Sequence, residues 1–222
     1  MNPYVLIATH NRLSITKKNI ECLLKCDVGV ILVVSDKGEY AVFKQLFPTI
    51  SVIHHANYPL GLKWQSGVDV ARHLKADPLI INGSDDILSP KFFSKVNGLM
   101  EEGYHFIGLK SWYVYDLKTV YRFDYLAALP LGGGRAYSRK LLEKIGYKLF
   151  DVRRERHLDD FGWASALRSK MEKIILNEPL ILSVKGNWPV MNPVNKMFGS
   201  RNAMLIESIY NPKKILEDFN YG

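Results

Sequence analysis

Short apolar segments alternate with amphipathic segments over roughly the first ninety residues of the chain. The apolar segments, rich in Val and Ile, cover residues 4–8, 28–34, 50–54 and 79–82 and predict buried strands. The intervening segments place apolar residues at helical spacing and predict helices that begin near Ser14, Tyr40 and Lys63. Buried strands that alternate with helices indicate an α/β fold, in which helices cover both faces of a mostly parallel sheet.

The pattern changes after residue 90. Residues 105–115 and 118–125 alternate aromatic and polar positions around Asp116, which predicts a small antiparallel hairpin. Further helices are predicted at residues 92–100, 138–145, 159–170, 202–210 and 212–219, and further strands at 173–176 and 180–184. Because no internal repeat or long linker interrupts these elements, we expect a single domain over residues 1–222.

Composition and charge narrow the class of protein. The chain has 222 residues, of which 47% are hydrophobic, and this is enough for a sizeable core. Its net charge of +8 favours polyanionic partners such as nucleic acid, anionic membranes or phosphate-rich substrates. The only cysteines, Cys22 and Cys26, exclude a disulfide framework. No apolar run reaches the roughly 18–20 residues of a membrane span, so we expect a cytoplasmic protein, in the host cytoplasm if it is viral.

Two adjacent carboxylates, Asp85 and Asp86, follow the predicted strand at residues 79–82 after only two residues. The carboxyl ends of the strands form the edge at which open α/β sheets bind ligands. Adjacent carboxylates repel each other unless a cation lies between them, and oxygen ligands suit Mg²⁺ or Mn²⁺. The pair therefore indicates a divalent metal that holds a phosphate group. The alternative is that an aspartate caps the N-terminus of a helix.

A glycine-rich stretch is a candidate acceptor-binding loop. Gly133 and Gly134 precede Arg135, and glycines let the backbone approach a sugar or a phosphate closely. The alternative is an ordinary turn. Trp112 belongs to an aromatic cluster of the predicted hairpin, which either packs in the core or offers a platform for a sugar or a base.

Basic residues surround the other candidate acceptor positions. Residues 135–173 carry eleven Lys and Arg against six Asp and Glu, and Arg156 lies in the most basic part. This stretch is either a solvated loop or a basic rim that contacts the phosphates of an acceptor without reading its sequence. Trp188, in an irregular segment with two prolines, is a candidate acceptor or lid residue.

Four stretches, in this order along the chain, carry a resemblance to a known family. They are Ala-Thr-His-Asn-Arg at residues 8–12, Ser-Asp at 35–36, Asn57 with Gly61, and Ser-Asp-Asp at 84–86. Over about residues 3–170 the chain resembles a GT-A glycosyltransferase of the family 2 type, in the nucleotide-diphospho-sugar transferase superfamily. The resemblance implies a nucleotide-binding half at 1–90, an acceptor half at 91–185 and a C-terminal lid or helical tail at 186–222.

The resemblance also implies a role for each matching residue. The donor-binding residues would be Thr9, Asn11, Arg12, Asp36, Lys63 and Ser84. Among them, Asp36 would hydrogen-bond the base of the nucleotide, and Lys63 would lie near its diphosphate. Asp85 and Asp86 would hold Mn²⁺ or Mg²⁺ against that diphosphate.

Asp159 and Asp160 match the acidic pair that supplies the general base of this family. We assign Asp160 as the base and Asp159 as its orienting partner, and a base implies direct displacement with inversion at the sugar carbon. The alternative is a helix N-cap, because the helix dipole favours negative charge at that end.

Two departures from the family pattern concern the metal. The family's metal motif is usually Asp-x-Asp, but here Gly83 occupies the first position. Many relatives also supply a late His or Asp near the metal, whereas this sequence has no His after His157. That ligand is therefore missing or replaced.

The sequence thus predicts a glycosyltransferase that uses a nucleotide-sugar donor, with UDP as the expected nucleotide. A hydroxymethylated pyrimidine in DNA is one candidate acceptor, because it offers a hydroxyl on a polyanion. A saccharide or a lipid-linked glycan is the other. Two other classes remain open: a nucleotidyltransferase with a similar sheet, against which the absence of glycine from residues 9–12 counts, and a non-catalytic nucleic-acid-binding domain.

Overall fold

The computed structural model of the protein describes residues 1–126, 130–155, 160–186 and 203–221, and for Asp160 it describes the backbone alone. The strands are β1 Tyr4–Thr9, β2 Gly29–Val34, β3 Ser51–His54, β4 Leu79–Asn82, β5 Asp86–Leu88, β6 Phe106–Leu109, β7 Ser111–Tyr115, β8 Val120–Tyr125, β9 Arg135–Tyr137, β10 Lys173–Leu176, β11 Ile181–Val184 and β12 Ala203–Ile209. The helices are α1 Leu13–Leu24, α2 Lys37–Leu46, α3 Leu60–His73, α4 Pro90–Glu101, α5 Arg139–Lys144, α6 Asp160–Arg168 and α7 Lys213–Asp218.

A seven-stranded sheet in the order β10-β6-β9-β4-β1-β2-β3 forms the centre of the protein. Strands β4, β1, β2 and β3 run parallel to one another, as do β10 and β6. Strand β9 runs antiparallel between β4 and β6. The predicted α/β fold with a mostly parallel central sheet is therefore confirmed.

Helices cover both faces of this sheet because its central strands are apolar on both sides. Ile7 of β1 belongs to one hydrophobic cluster with Leu23 of α1 and Phe43 of α2. Its neighbour Leu6 belongs to a second cluster with Val68 of α3. Successive side chains of a strand point to opposite faces, so a strand without polar residues requires helices on each side.

A second sheet, in the order β12-β8-β7-β11-β5, lies at the carboxyl ends of the central strands. It contains the predicted hairpin as β7 and β8, with the antiparallel register Trp112 to Phe123. Strand β5 begins only four residues after β4 ends, so residues 83–85 join the two sheets. The predicted hairpin is thus part of a larger sheet. Its first strand, predicted at residues 105–115, is divided: Phe106–Leu109 forms β6 of the central sheet, and only Ser111–Tyr115 forms β7.

Two segments differ from the sequence prediction. The helix predicted at residues 202–210 is wrong, because Ala203–Ile209 forms β12 and pairs antiparallel with β8. Strand β9, Arg135–Tyr137, was not predicted; it lies between the glycine-rich loop and α5. In both cases a neighbouring strand offers backbone partners, which local periodicity does not record. Within the described ranges, no helix combines the length and the apolar character needed to cross a bilayer.

Candidate functional site

The carboxyl ends of β1 and β4 lie side by side in the central sheet, and the residues that follow these strands meet there. The register pairs Ile7 of β1 with Asn82 of β4. Beyond this pair, the guanidinium Nη1 of Arg12 donates to Ser84 Oγ at 3.2 Å and lies 3.3 Å from Asp85 Oδ1. We call the residues around this contact the carboxyl-edge site: Thr9, Asn11, Arg12, Asn19, Asp36, Asn57, Lys63, Asn82, Ser84, Asp85, Asp86, Ser183 and Lys185.

Asp85 is held between two cations. Its Oδ1 pairs with Arg12, and its Oδ2 accepts a hydrogen bond from Lys185 Nζ at 2.8 Å. The side chains of Asp85 and Lys185 are each only 10% exposed, so this ion pair is shielded from water. Each oxygen of Asp85 therefore has a cationic partner.

Asp86 lies beside Asp85 and has a different hydrogen-bond partner. Its Oδ1 accepts a hydrogen bond from the hydroxyl of Ser183 in the adjacent strand β11. Burial, and next the negative charge of Asp85, raise the pKa of the Asp86 carboxyl above its usual value. A Cβ added to Gly83 would overlap this carboxyl group, so a side chain at position 83 would require the Asp86 carboxyl to move.

The buried side chain of Asn19 hydrogen-bonds the backbone of the turn between β4 and β5. Its amide nitrogen donates to the carbonyl oxygens of Gly83 at 3.0 Å, Ser84 at 3.3 Å and Asp86 at 3.0 Å. Asn19 lies on the apolar face of α1, where it is fully buried. Helix α1 therefore fixes the backbone that carries the acidic pair.

Lys63 lies beneath the same edge and is 1% exposed. Its Nζ donates to the carbonyl oxygen of Thr9 at 2.6 Å and to Asn57 Oδ1 at 3.1 Å. Burial lowers the pKa of Lys63 to about 8, with a smaller opposing effect of Glu39. The ammonium group thus ties the end of β1 to the segment that precedes α3.

The other predicted donor-binding residues lie around the end of β1 and the start of α2. Thr9 is buried, and its hydroxyl is 2.8 Å from that of Thr16. Asn11 has a positive φ of 54°, and its backbone N–H donates to Glu39 Oε2. Asp36 caps α2 by accepting a hydrogen bond from the backbone of Glu39 at 2.8 Å. The predicted base contact of Asp36 stays a prediction.

The predicted acceptor residues are placed in two regions. Gly133 closely approaches the acidic pair, since a Cβ added there would lie 2.9 Å from Asp86 Oδ2 and 3.3 Å from Asn82 Oδ1. Gly134 has φ 71° and donates to the carbonyl of Ile81 in β4. Arg135 is buried, and its Nε donates to the carbonyl of Gly132. Trp112 is a core residue, 6% exposed and stacked on Phe123, which leaves little of its ring for a sugar.

Four predicted residues cannot be compared with the structure. Arg156, Asp159 and Trp188 lie outside the described residues, and Asp160 begins α6 with its side chain outside the description. The structure brings the preceding segment to α3: the backbone N–H groups of Leu60 and Gly61 donate to Glu155 Oε1 and to the carbonyl of Arg154. The roles assigned to the four residues stay predictions.

Sequence reasoning did not identify Asn19 and Lys185 as residues of this site. A signal exists for Asn19: a polar residue lies four positions after Ile15 and four before Leu23, on the face that α1 buries. For Lys185 the only signal is a lysine directly after an apolar strand. Its contact with Asp85 depends on the pairing of β11 with β5, which the sequence pattern does not disclose.

The site does not fit the divalent ion that the sequence predicts. Both Asp85 oxygens are engaged by Arg12 and Lys185, and a metal ion bound there would be repelled by both cations. Asp86 is turned toward Ser183, and an aspartate at position 83 would overlap it. Among the described residues, no three or more His, Cys, Asp or Glu side chains are grouped as metal ligands would be.

Solved structures with the same fold include enzymes of nucleotide and sugar chemistry. Residues 1–349 of S. aureus TarS match with a TM-score of 0.62 at 12% identity, over 83% of this chain and 60% of that one. The CTP complex of CMP:2-keto-3-deoxy-manno-octonic acid synthetase matches with a TM-score of 0.53 at 10% identity, over 90% and 96%. The 4-diphosphocytidyl-2C-methyl-D-erythritol synthase of Anaerococcus prevotii matches with a TM-score of 0.52 at 12% identity, over 79% and 86%.

This chain spans 60% of TarS 1–349 and 37% of the longer TarS structure, which has a TM-score of 0.61. No protein-family model and no curated protein matches the sequence. At these identities the likeness concerns the fold alone. The chain therefore has a GT-A-like α/β fold, which it shares with TarS and with the two synthetic enzymes above.

Proposed function

We propose that the protein is a glycosyltransferase that moves a sugar from a nucleotide-diphosphate sugar, with UDP as the nucleotide, to an acceptor hydroxyl. The observation that carries the proposal is the meeting of residues 9–12 with residues 84–86 between β1 and β4. The chain runs from β1 through β2 to β3 and then returns to β4 on the other side of β1. This is a topological switch point, the usual ligand crevice of an open α/β sheet.

The reaction requires a leaving group that can carry additional charge. The acceptor oxygen forms a bond to the anomeric carbon, while the bond from that carbon to the diphosphate oxygen breaks with its electron pair. Positive groups at the diphosphate stabilise the departing nucleoside diphosphate. The proton of the acceptor hydroxyl passes to Asp160, the proposed base, with Asp159 as its orienting partner, and displacement on the opposite face inverts the sugar carbon.

A donor panel tests the activity. The protein is incubated with nucleotide sugars that differ in base and sugar, with and without Mn²⁺, and release of nucleoside diphosphate is measured. Asp160→Asn should abolish turnover and leave donor affinity by calorimetry unchanged, whereas Asp218→Asn at the exposed end of α7 should change neither. The proposal is overturned if no donor is bound and none is hydrolysed or transferred.

The proposed acceptor is a hydroxymethylated pyrimidine in DNA, with a saccharide or lipid-linked glycan as the alternative. The net charge of +8 supports a polyanionic acceptor. Electrophoretic shift with duplex DNA should show binding that weakens steeply between low and high salt, because bound phosphates release counterions. Transfer to a saccharide without any DNA binding would contradict a DNA acceptor.

A nucleotidyltransferase is the second candidate function. The CMP:2-keto-3-deoxy-manno-octonic acid synthetase shares the fold over 90% of this chain and 96% of its own. The products separate the two activities. A nucleotidyltransferase transfers the nucleotidyl group of a nucleoside triphosphate to a sugar or sugar phosphate and releases pyrophosphate. A glycosyltransferase transfers the sugar of a nucleotide sugar and releases the nucleoside diphosphate. Assaying both substrate pairs with the same preparation therefore decides between them.

A further inference from the structure

We propose that Arg12 and Lys185, bridged by Asp85, bind the diphosphate of the donor directly, so that donor binding is independent of a divalent metal. This inference rests on the proposed function and specifies the group at its diphosphate subsite. In this proposal, Arg12 and Lys185 take the role at the diphosphate that the resemblance assigns to Mn²⁺ or Mg²⁺.

The geometry of β11 delivers Lys185 to the site. Strand β11 runs antiparallel to β5, and the backbone N–H of Val184 donates to the carbonyl of Asp85 at 2.8 Å. Ser183 and Lys185 are two residues apart, so their side chains lie on the same face of the strand. From that face the hydroxyl of Ser183 reaches Asp86, and the ammonium of Lys185 reaches Asp85.

Arg12 reaches Asp85 from the opposite side. It lies at the N-cap position of α1, and its guanidinium contacts Ser84 and Asp85. The side chain of Arg12 is 19% exposed and that of Lys185 is 10% exposed. Both cations are therefore largely shielded from solvent, where screening by ions is weak.

Two positive side chains meet at this position. Arg12 and Lys185 both pair with Asp85, and their charges also act on the neighbouring carboxyl of Asp86, which accepts a hydrogen bond from Ser183. A diphosphate can accept hydrogen bonds from Arg12 and Lys185, because a guanidinium has five N–H groups and an ammonium three, more than their contacts with the described residues use. A divalent cation placed between the same groups would instead meet two like charges.

Calorimetry on the metal-free protein tests the inference without any variant. Nucleoside diphosphates with different bases are titrated into the protein in EDTA and again in Mn²⁺, and the tightest ligand is chosen. For this ligand we expect the dissociation constant in EDTA and that in Mn²⁺ to agree within about threefold, because Arg12 and Lys185 supply the positive charge. Mn²⁺ alone, monitored by electron paramagnetic resonance, should remain free in the presence of the protein.

Variants then locate the subsite. Lys185→Met and Arg12→Met should each weaken nucleoside diphosphate binding about tenfold or more, because each removes a charge-assisted contact. Neither should alter binding of the corresponding nucleoside, which has no phosphate. Lys118→Met, in the exposed turn between β7 and β8, removes the same charge outside the site and should bind like the wild type.

The possible failures are distinct. If EDTA abolishes nucleoside diphosphate binding and Mn²⁺ restores it, the inference is overturned and the proposed glycosyltransferase stands. Equal loss of diphosphate and nucleoside binding in a folded Lys185→Met protein would also overturn it. If no nucleoside diphosphate binds in either condition, the proposed function and the inference fail together.

Discussion

Asn19 and Lys63 are buried polar residues that position the carboxyl-edge site from within the core. The amide of Asn19 satisfies three carbonyl oxygens of the turn at residues 83–86, and the ammonium of Lys63 satisfies the last carbonyl of β1. A buried carbonyl without a partner costs free energy. Such residues therefore fix the backbone from which Arg12, Ser84 and Asp85 project.

Replacing Asn19 with Ala tests this support. The variant removes the amide donor from all three carbonyls, but those of Gly83 and Asp86 keep the backbone N–H of Asp86 and the amide of Asn82. We therefore expect the free energy of unfolding to fall by about 2 kcal/mol and the affinity for the nucleotide-sugar donor to weaken. Denaturant titration and calorimetry measure the two effects. Asn2→Ala removes an exposed amide contact to the carbonyl of Leu74 and should cost about 0.5 kcal/mol. Equal costs for the two variants would contradict the role of Asn19.

The pKa of Lys63 gives a pH dependence with a definite sign. The pKa is about 8 in the folded protein and 10.5 at its ordinary value, so between these pH values the unfolded chain binds more protons. Stability must rise with pH in this window. Compared with Lys63→Met, the wild type should gain up to about 3 kcal/mol between pH 8 and 10.5, measured by urea unfolding. A constant difference across the window would show that Lys63 does not titrate there.

At the scale of elements, the segment at residues 151–155 packs against the N-terminus of α3. Backbone N–H groups at a helix start lack partners within the helix, and here Leu60 and Gly61 donate to Glu155 Oε1 and to the carbonyl of Arg154. A Cβ on Gly61 would overlap the carbonyl oxygen of Asp151. The contact holds the segment that leads toward Asp160 at the site's edge.

Gly61→Ala should therefore separate these two elements. Because the methyl group has no room, we expect a loss of about 2 kcal/mol of unfolding free energy and faster proteolysis within residues 151–155. Gly98→Ala in α4 is the matched control: a Cβ there meets no atom within 4 Å, so helix propensity should stabilise the protein by about 0.5–1 kcal/mol. If both variants changed the free energy of unfolding in the same direction, the steric explanation would be excluded.

At the scale of the whole molecule, the candidate site coincides with the junction of the two sheets. Residues 83–85 join β4 of the central sheet to β5 of the second sheet, and Lys185 follows β11, the neighbour of β5. A ligand that contacts Arg12 and Lys185 would therefore contact both sheets. Its binding should stabilise the two sheets as one unit.

This junction predicts a thermal shift with a nucleoside diphosphate. At about a hundredfold excess over Kd the ligand adds about 2.7 kcal/mol, which corresponds to a Tm increase of roughly 5–10 °C for a domain of this size. Differential scanning calorimetry should show a single transition that moves as a whole. Lys118→Met should show the full shift and Lys185→Met at equal ligand concentration a smaller one. A ligand-induced split into two transitions would contradict the coupling of the sheets.

The sequence by itself determined the four parallel strands β1 to β4 of the central sheet and most of the edge that carries the site. Strands such as Leu79–Asn82 are apolar on both faces, and this local property reports burial between helices without any knowledge of distant contacts. The polar residues that follow β1 and β4 could be assigned to one edge, because parallel strands end on the same side of a sheet. Arg12 and Asp85 do meet there.

Tertiary structure alone decided what surrounds Asp85. The pairing of β11 with β5 brings Lys185 to a carboxylate one hundred residues earlier, and β8 turns Ala203–Ile209 into a strand where local spacing indicated a helix. Contacts between distant segments depend on which strands become neighbours, and the free energy of that choice is distributed over the whole core. Local periodicity reports which face of a segment is buried; it carries no information about the partner that buries it.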